Sequence, residues 1–147
     1  MEANFVFSLF KLLLNDKNLF ECIHRITNCG PIGYFNPRVY RFNPEAKHFD
    51  SWNSAMNGHR LIAMSINLSQ QSYQGGVLQI RDANSGQMIA EMPNIVPGDA
   101  IVFRLSDDLD HQVTSVEGQF PTIACAGWFE KNLNSLKLLK REKMQSL

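Results

Sequence analysis

The stretch PGDAIVFRLSDDLDHQVTSVEGQFPTIACAGWF, residues 97–129, holds the reading on which the fold turns. Its two apolar runs, Ala100 to Leu105 and Thr122 to Phe129, are too short for ordinary helices and are bounded by polar and turn-forming residues, as buried strands are. Pro97-Gly98-Asp99 is a turn signal that opens the first of them. Working outward, Leu61 to Leu68 and Gly76 to Ile80 have the same texture, and Asn84-Ser85-Gly86 supplies another turn. Four short strands at this spacing predict a compact antiparallel barrel or jelly roll, with Trp128 and Phe103 in its core.

Upstream the periodicity changes. From Asn4 to Thr27 the residues Phe5, Leu9, Leu12, Leu13, Leu19, Phe20, Ile23 and Ile26 recur at spacings of three, four and seven, as on one face of a helix. Residues 15–18 break this run into two helices, with Asp16 or Asn15 as cap of the second. Gly30-Pro31, Asn36-Pro37 and Asn43-Pro44 then read as turns among short strands and loops. The chain is thus read as mainly β with supporting helices, one domain over 1–147. Helical support occupies 1–29, barrel core 38–129, and a basic tail with a short helix 131–147.

Composition bounds the function classes. Lys+Arg and Asp+Glu are 14 each, so no bulk charge draws the chain to nucleic acid or to an anionic membrane. The most apolar stretch, Phe5 to Leu14, carries Lys11 and is well short of the roughly 20 residues that span a bilayer. No signal segment is expected either, because Glu2 precedes that stretch and no basic residue does. Cys22, Cys29 and Cys125 are odd in number and form no Cys-x-x-Cys pair, so neither a disulfide framework nor a structural zinc site is indicated, and a reducing, cytoplasmic setting fits best.

The four histidines are His24, His48, His59 and His111. In an extended segment, alternation points His48 and Asp50 to one face, so an imidazole and a carboxylate project together. His111 follows after the intervening strands. Two imidazoles and one carboxylate on one face of an octahedral metal leave three positions open, the arrangement of non-haem Fe(II) oxygenases. The bland alternative for His-x-Asp alone is a surface histidine bonded to its neighbour. His59 reads as a loop residue and His24 as a helix residue. Gly75-Gly76 reads as a bulge or close strand approach, Trp52 as packing at the barrel rim, and Cys125 as an inert core residue.

With Tyr73-Gln74-Gly75-Gly76-Val77-Leu78 ahead of His111 and Gly127-Trp128-Phe129 closing the core, the sequence from Tyr40 to Phe129 resembles the 2-oxoglutarate and Fe(II)-dependent oxygenases, in the prolyl 4-hydroxylase-like branch. The resemblance implies a double-stranded β-helix, a jelly-roll barrel, with His48, Asp50 and His111 as metal ligands. It further implies Fe(II) and 2-oxoglutarate as cofactors, O2 as co-reactant, hydroxylation of a small molecule or peptide side chain, and no catalytic residue beyond the metal ligands.

The sequence departs from the family at the cosubstrate anchor. Family members hold the remote carboxylate of 2-oxoglutarate with a cation, most often Arg, six positions before the Trp of a Trp-Phe ending; here that position is Thr122. A Tyr seven positions beyond the residue matching Arg60 is replaced by Asn67. Thr122, Asn67 and Arg60 are the candidate cosubstrate-binding residues, with Arg81 and Arg104 as further candidates for a displaced anchor. Two alternatives stay open: an iron-dependent oxygenase that does not use 2-oxoglutarate, and a non-catalytic metal- or ligand-binding jelly roll.

Overall fold

The computed structural model of the chain describes residues 2–43, 50–54, 56–94 and 96–132. Two helices, α1 (Glu2–Leu13) and α2 (Lys17–Thr27), precede ten strands. The strands are β1 (Ile32–Phe42), β2 (Asp50–Asn53), β3 (Arg60–Asn67), β4 (Gln74–Gly75), β5 (Leu78–Asp82), β6 (Met88–Met92), β7 (Ala100–Arg104), β8 (Leu109–Val113), β9 (Val116–Glu117) and β10 (Thr122–Lys131). One four-stranded sheet has the order β1-β10-β3-β7, a second has the order β2-β8-β5-β6, and β4 pairs with β9; every pairing is antiparallel. Two such sheets form the expected jelly roll. The tail helix expected over 131–147 falls largely outside the described residues, and no helix among those described is long and apolar enough to cross a membrane.

α2 starts as its sequence predicts. Asp16 adopts an extended N-cap conformation, and its side chain accepts the Asn18 N–H at 2.8 Å. Asn28 ends the helix in the left-handed region, where its N–H closes on the His24 carbonyl. The apolar residues expected on one helical face divide. Leu19, Phe20 and Ile23 of α2 pack on the first sheet together with Phe10 and Leu14, whereas Phe5, Leu9, Leu12, Leu13 and Ile26 are exposed. The C-terminal end of α1 reaches the sheet through Phe10, together with Leu14 just past the helix.

Asn36-Pro37 is not a turn but lies inside β1, which runs unbroken through it. Proline has no N–H to give a ladder and is tolerated here because β1 is an edge strand. Pro37 sits opposite Gly127, where a Cβ would come within 2.1 Å of the Asn36 carbonyl oxygen, so only glycine admits this approach. The free edge of β1 is partly covered by Asn15, which accepts the Phe35 N–H at 2.8 Å through Oδ1 and donates to its carbonyl at 3.0 Å through Nδ2. One side-chain amide thereby imitates a neighbouring strand and joins the helices to the sheet.

The core lies between helices and sheet rather than inside the barrel. Along β10 the odd residues Cys125 and Phe129 are fully buried in a cluster with Phe35, Ile62, Met64, Leu14 and Ile23. The Phe129 ring packs 4.5 Å from Phe35 and edge-on at 6.0 Å from Phe20. Burial pushes the Cys125 thiol up to about 11, in keeping with an inert core residue. Trp128 and Phe103, expected in the core, are only partly buried, because alternation turns them to the opposite face of the sheet, toward the barrel interior. Phe129→Ala should therefore cost about 3 to 5 kcal/mol, the usual range for deleting a core aromatic. Trp128→Ala should cost clearly less, and urea unfolding of both variants against the parent measures the difference.

A candidate active-site cavity

Between the two sheets lies a cavity of about 360 Å³. Its first wall is the inner face of β10, where Thr122, Ala124, Ala126 and Trp128 follow one another at every second position. Ala63 and Ser65 of β3 and Ile101 and Phe103 of β7 continue the wall in register: Trp128 is opposite Ala63, which is opposite Phe103, and Ala126 is opposite Ser65. Alanine and serine at these positions leave the interior unfilled. The facing wall includes Leu78, His111 and Val113, with Asn53 beside His111.

His111 sits in mid β8, with its Cα paired to Ile80 on one side and Asn53 on the other. Its ring lies 5.0 Å from that of Phe103. Asp50 opens β2 with its Cα opposite Val113, two residues along β8 from His111, and the register shifts between Asp50 and Asn53. The backbone thus brings two of the three residues read as metal ligands onto adjacent strands. The third, His48, lies outside the described residues.

The residues read as cosubstrate-binding part ways. Thr122 is 4% exposed and lines the cavity. Asn67 is fully buried but is not a lining residue; its amide donates to the Asn94 carbonyl at 2.8 Å and accepts the Ser69 N–H at 2.9 Å, which ties the loop after β3 to the loop after β6. Arg60 holds its guanidinium 3.6 Å above the Trp128 ring, a cation–π contact, and is not a lining residue either. Neither are Arg81, which pairs with Asp110 at 3.0 Å and stacks on Trp52 at 4.2 Å, and Arg104, which is exposed. Among the described residues that line the cavity none is Lys or Arg.

Two lining residues gave no functional signal in the sequence. Tyr73 donates its hydroxyl to the Asn94 carbonyl at 2.7 Å, and burial raises its pKa. Asn94 is 6% exposed; its Nδ2 donates to the Ser65 carbonyl at 3.3 Å, while its Oδ1 is buried without a hydrogen-bond partner among the described residues. An asparagine following Pro93 reads as an ordinary loop residue, and only the tertiary structure turns it inward. Gly75 and Gly76, read as a close approach, provide one. Gly75 has φ +72°, and a Cβ there would stand 2.0 Å from the Ser115 carbonyl oxygen. That crossing of β4 and β9 sets the end of the cavity near Tyr73 and Val116.

Because Tyr73 has a raised pKa in the folded chain, its contribution is complete below the unfolded value of about 10 and is lost as pH rises from there through the folded value. Tyr73→Phe should lower stability by about 1 kcal/mol near neutrality, since Asn94 keeps its bond from Asn67. The parent should then lose stability relative to this variant as pH rises above about 10, as read by urea midpoints.

Residues 37–130 match the sequence pattern of a family described as the 2OG-Fe(II) oxygenase superfamily. Among solved structures, the chain is similar to a Pseudomonas putida prolyl-4-hydroxylase, with a TM-score of 0.60 and 18% identity over 78% of this chain and 61% of that one. It is also similar to an oxidoreductase of the 2OG-Fe(II) oxygenase family from Burkholderia pseudomallei, with a TM-score of 0.59 and 17% identity over 82% of this chain and 55% of that one. The chain therefore spans between about half and three fifths of these structures, and at such identities the likeness is one of fold. No curated protein matches the sequence.

Proposed function

Since the chain belongs to the 2OG-Fe(II) oxygenase superfamily, we propose that it is a non-haem Fe(II)-dependent oxygenase that hydroxylates a small molecule or a peptide side chain. The observation that carries this reading is His111 on the wall of the cavity, on the strand next to the one that Asp50 opens. Two imidazoles and one carboxylate are hard-to-borderline donors that fit Fe(II), and His48, Asp50 and His111 would hold it. When bound, Fe(II) supplies the O2-activating redox chemistry that side chains lack.

The protein's own contribution is placement and exclusion of water. The Phe103 ring beside His111 limits the positions its imidazole can take. Ala63, Ile101 and Trp128 give the substrate an apolar surface and keep competing water scarce. A cavity of about 360 Å³ suits a small molecule or one side chain of a peptide. Three free thiols, two of them buried, support a reducing, cytoplasmic setting. The uncharged lining favours one alternative, an oxygenase of this family whose cosubstrate is not 2-oxoglutarate. A buried carboxylate without a cation or sufficient donors is costly, so the remote carboxylate of 2-oxoglutarate does not fit the described residues.

His111→Ala should weaken Fe(II) or Mn(II) binding by at least tenfold to a hundredfold, roughly the loss that follows from removing a mere hydrogen-bond partner of a metal ligand. Anaerobic calorimetric titration measures it. Unchanged affinity in that variant would remove His111 from the metal site.

A further inference from the structure

The strands that carry Asp50 and His111 are tied together on the outside of the second sheet, away from the cavity. β2 is an edge strand of four residues, placed against β8 by the pairs Asp50 with Val113 and Asn53 with His111. Between these pairs β2 advances three residues while β8 advances two, so β2 carries one extra residue, a bulge. Val113, His111 and Asn53 all line the cavity. In a regular strand positions 50 and 53 would fall on opposite faces, and the extra residue is what sets both of them opposite residues of the cavity wall. So short and irregular a ladder holds its register weakly.

Trp52 lies within this bulged stretch, partly buried, and Arg81 of β5 sets its guanidinium 4.2 Å from the centre of the indole. The same guanidinium donates through Nε at 3.3 Å and through Nη2 at 3.0 Å to one carboxylate oxygen of Asp110, the residue before His111 on β8. Arg81 and Asp110 are opposite in the register of β5 and β8, and alternation turns Asp110 outward where His111 turns inward. Their side chains are 30% and 20% exposed, so water screens the contact only in part. One side chain of β5 therefore touches β2 in its bulge and β8 beside His111. The neighbouring tie, from Gln112 to Gln79 at 2.5 Å, continues to Glu91 of β6 and does not reach β2.

We infer that Arg81 is a positioning residue: by clamping Trp52 against Asp110 it holds the β2 bulge in register with β8, and so sets Asp50 to act with His111 on a metal ion. The inference rests on the iron-oxygenase reading for the ion, and it adds a residue that is not part of the cavity lining.

In the test, Mn(II) is titrated calorimetrically into the full chain and its variants, and Co(II) is added in parallel to read the ligand set from its visible absorption bands. Arg81→Leu should weaken Mn(II) binding roughly tenfold, the low end of the loss that follows removal of an outer partner of a metal ligand. Its Co(II) bands should move toward those of Asp50→Ala. The double variant should bind no more weakly than Asp50→Ala alone, because Arg81 acts through Asp50. Arg81→Lys, which keeps a cation for both partners, should recover part of the affinity. Trp52→Leu should match Arg81→Leu and replaces it should that variant not fold, whereas Gln79→Leu should bind Mn(II) as the parent does. Parent-like affinity and Co(II) bands in folded Arg81→Leu or Trp52→Leu overturn the inference and leave the iron reading standing. An equal loss in Gln79→Leu, or a further loss when Arg81→Leu is added to Asp50→Ala, overturns the route through Asp50, since the effect is then one of sheet stability. Failure of the parent to bind either metal overturns the iron reading, and the inference with it.

Discussion

Phe129 and Trp128 are neighbours in sequence that face opposite ways, and the rest of the molecule is arranged around that division. Phe129 meets Phe35 and Phe20 on the helix side of the first sheet, whereas Trp128 meets the cavity on the other side. A strand buried on both faces must serve two environments, and β10 does so with Ile123, Cys125, Gly127 and Phe129 on one face and Thr122, Ala124, Ala126 and Trp128 on the other. Gly127, between the two aromatics, lets β1 approach closely enough to finish the sheet.

This division separates stability from function. The dense packing lies between α2, the end of α1 and the first sheet, where Phe35, Ile62, Cys125 and Phe129 are fully buried. The barrel interior is released from that duty and is hollow. A buried acceptor such as Asn94 Oδ1, without a partner among the described residues, costs about 1 to 3 kcal/mol, and it stands in a residue of the cavity wall and not of the packed core. Asn67 connects the two regions. It belongs to the sheet that carries the core, and its amide fixes Asn94 on the cavity wall.

The sequence was most legible where local chemistry and burial agree. Asp16 as a cap, strands near 61–68 and 122–129, Cys125 in an apolar run and the glycine pair at 75–76 each have a physical requirement confined to a few residues. Asn36-Pro37 misled because proline breaks a central strand but not an edge, and edge position is a property of the sheet. Trp128 and Phe129 could not be told apart, since alternation predicts that adjacent residues face opposite ways without saying which way is the core. The exposed apolar residues of α1 show the same gap, for periodicity marks a face and not its partner. Of the site, His111 and Thr122 were found through motif position and both line the cavity. Asn94 and Tyr73 act through contacts across 21 to 29 residues of chain, which no local pattern records.

The cation at the end of β10 stands outside the cavity. Arg60 stands over the Trp128 ring, at the level of Phe103 and His111, while Thr122 lies six residues away along β10, about 20 Å at the usual strand rise. Arg60 is paired in the ladder with Glu130 and stays outside the cavity, whose lining holds no Lys or Arg among the described residues. Arg60 is partly buried, with its Nε out of solvent contact and its guanidinium on the Trp128 face. Held there, Arg60 stands at the opposite end of the β10 wall from Thr122.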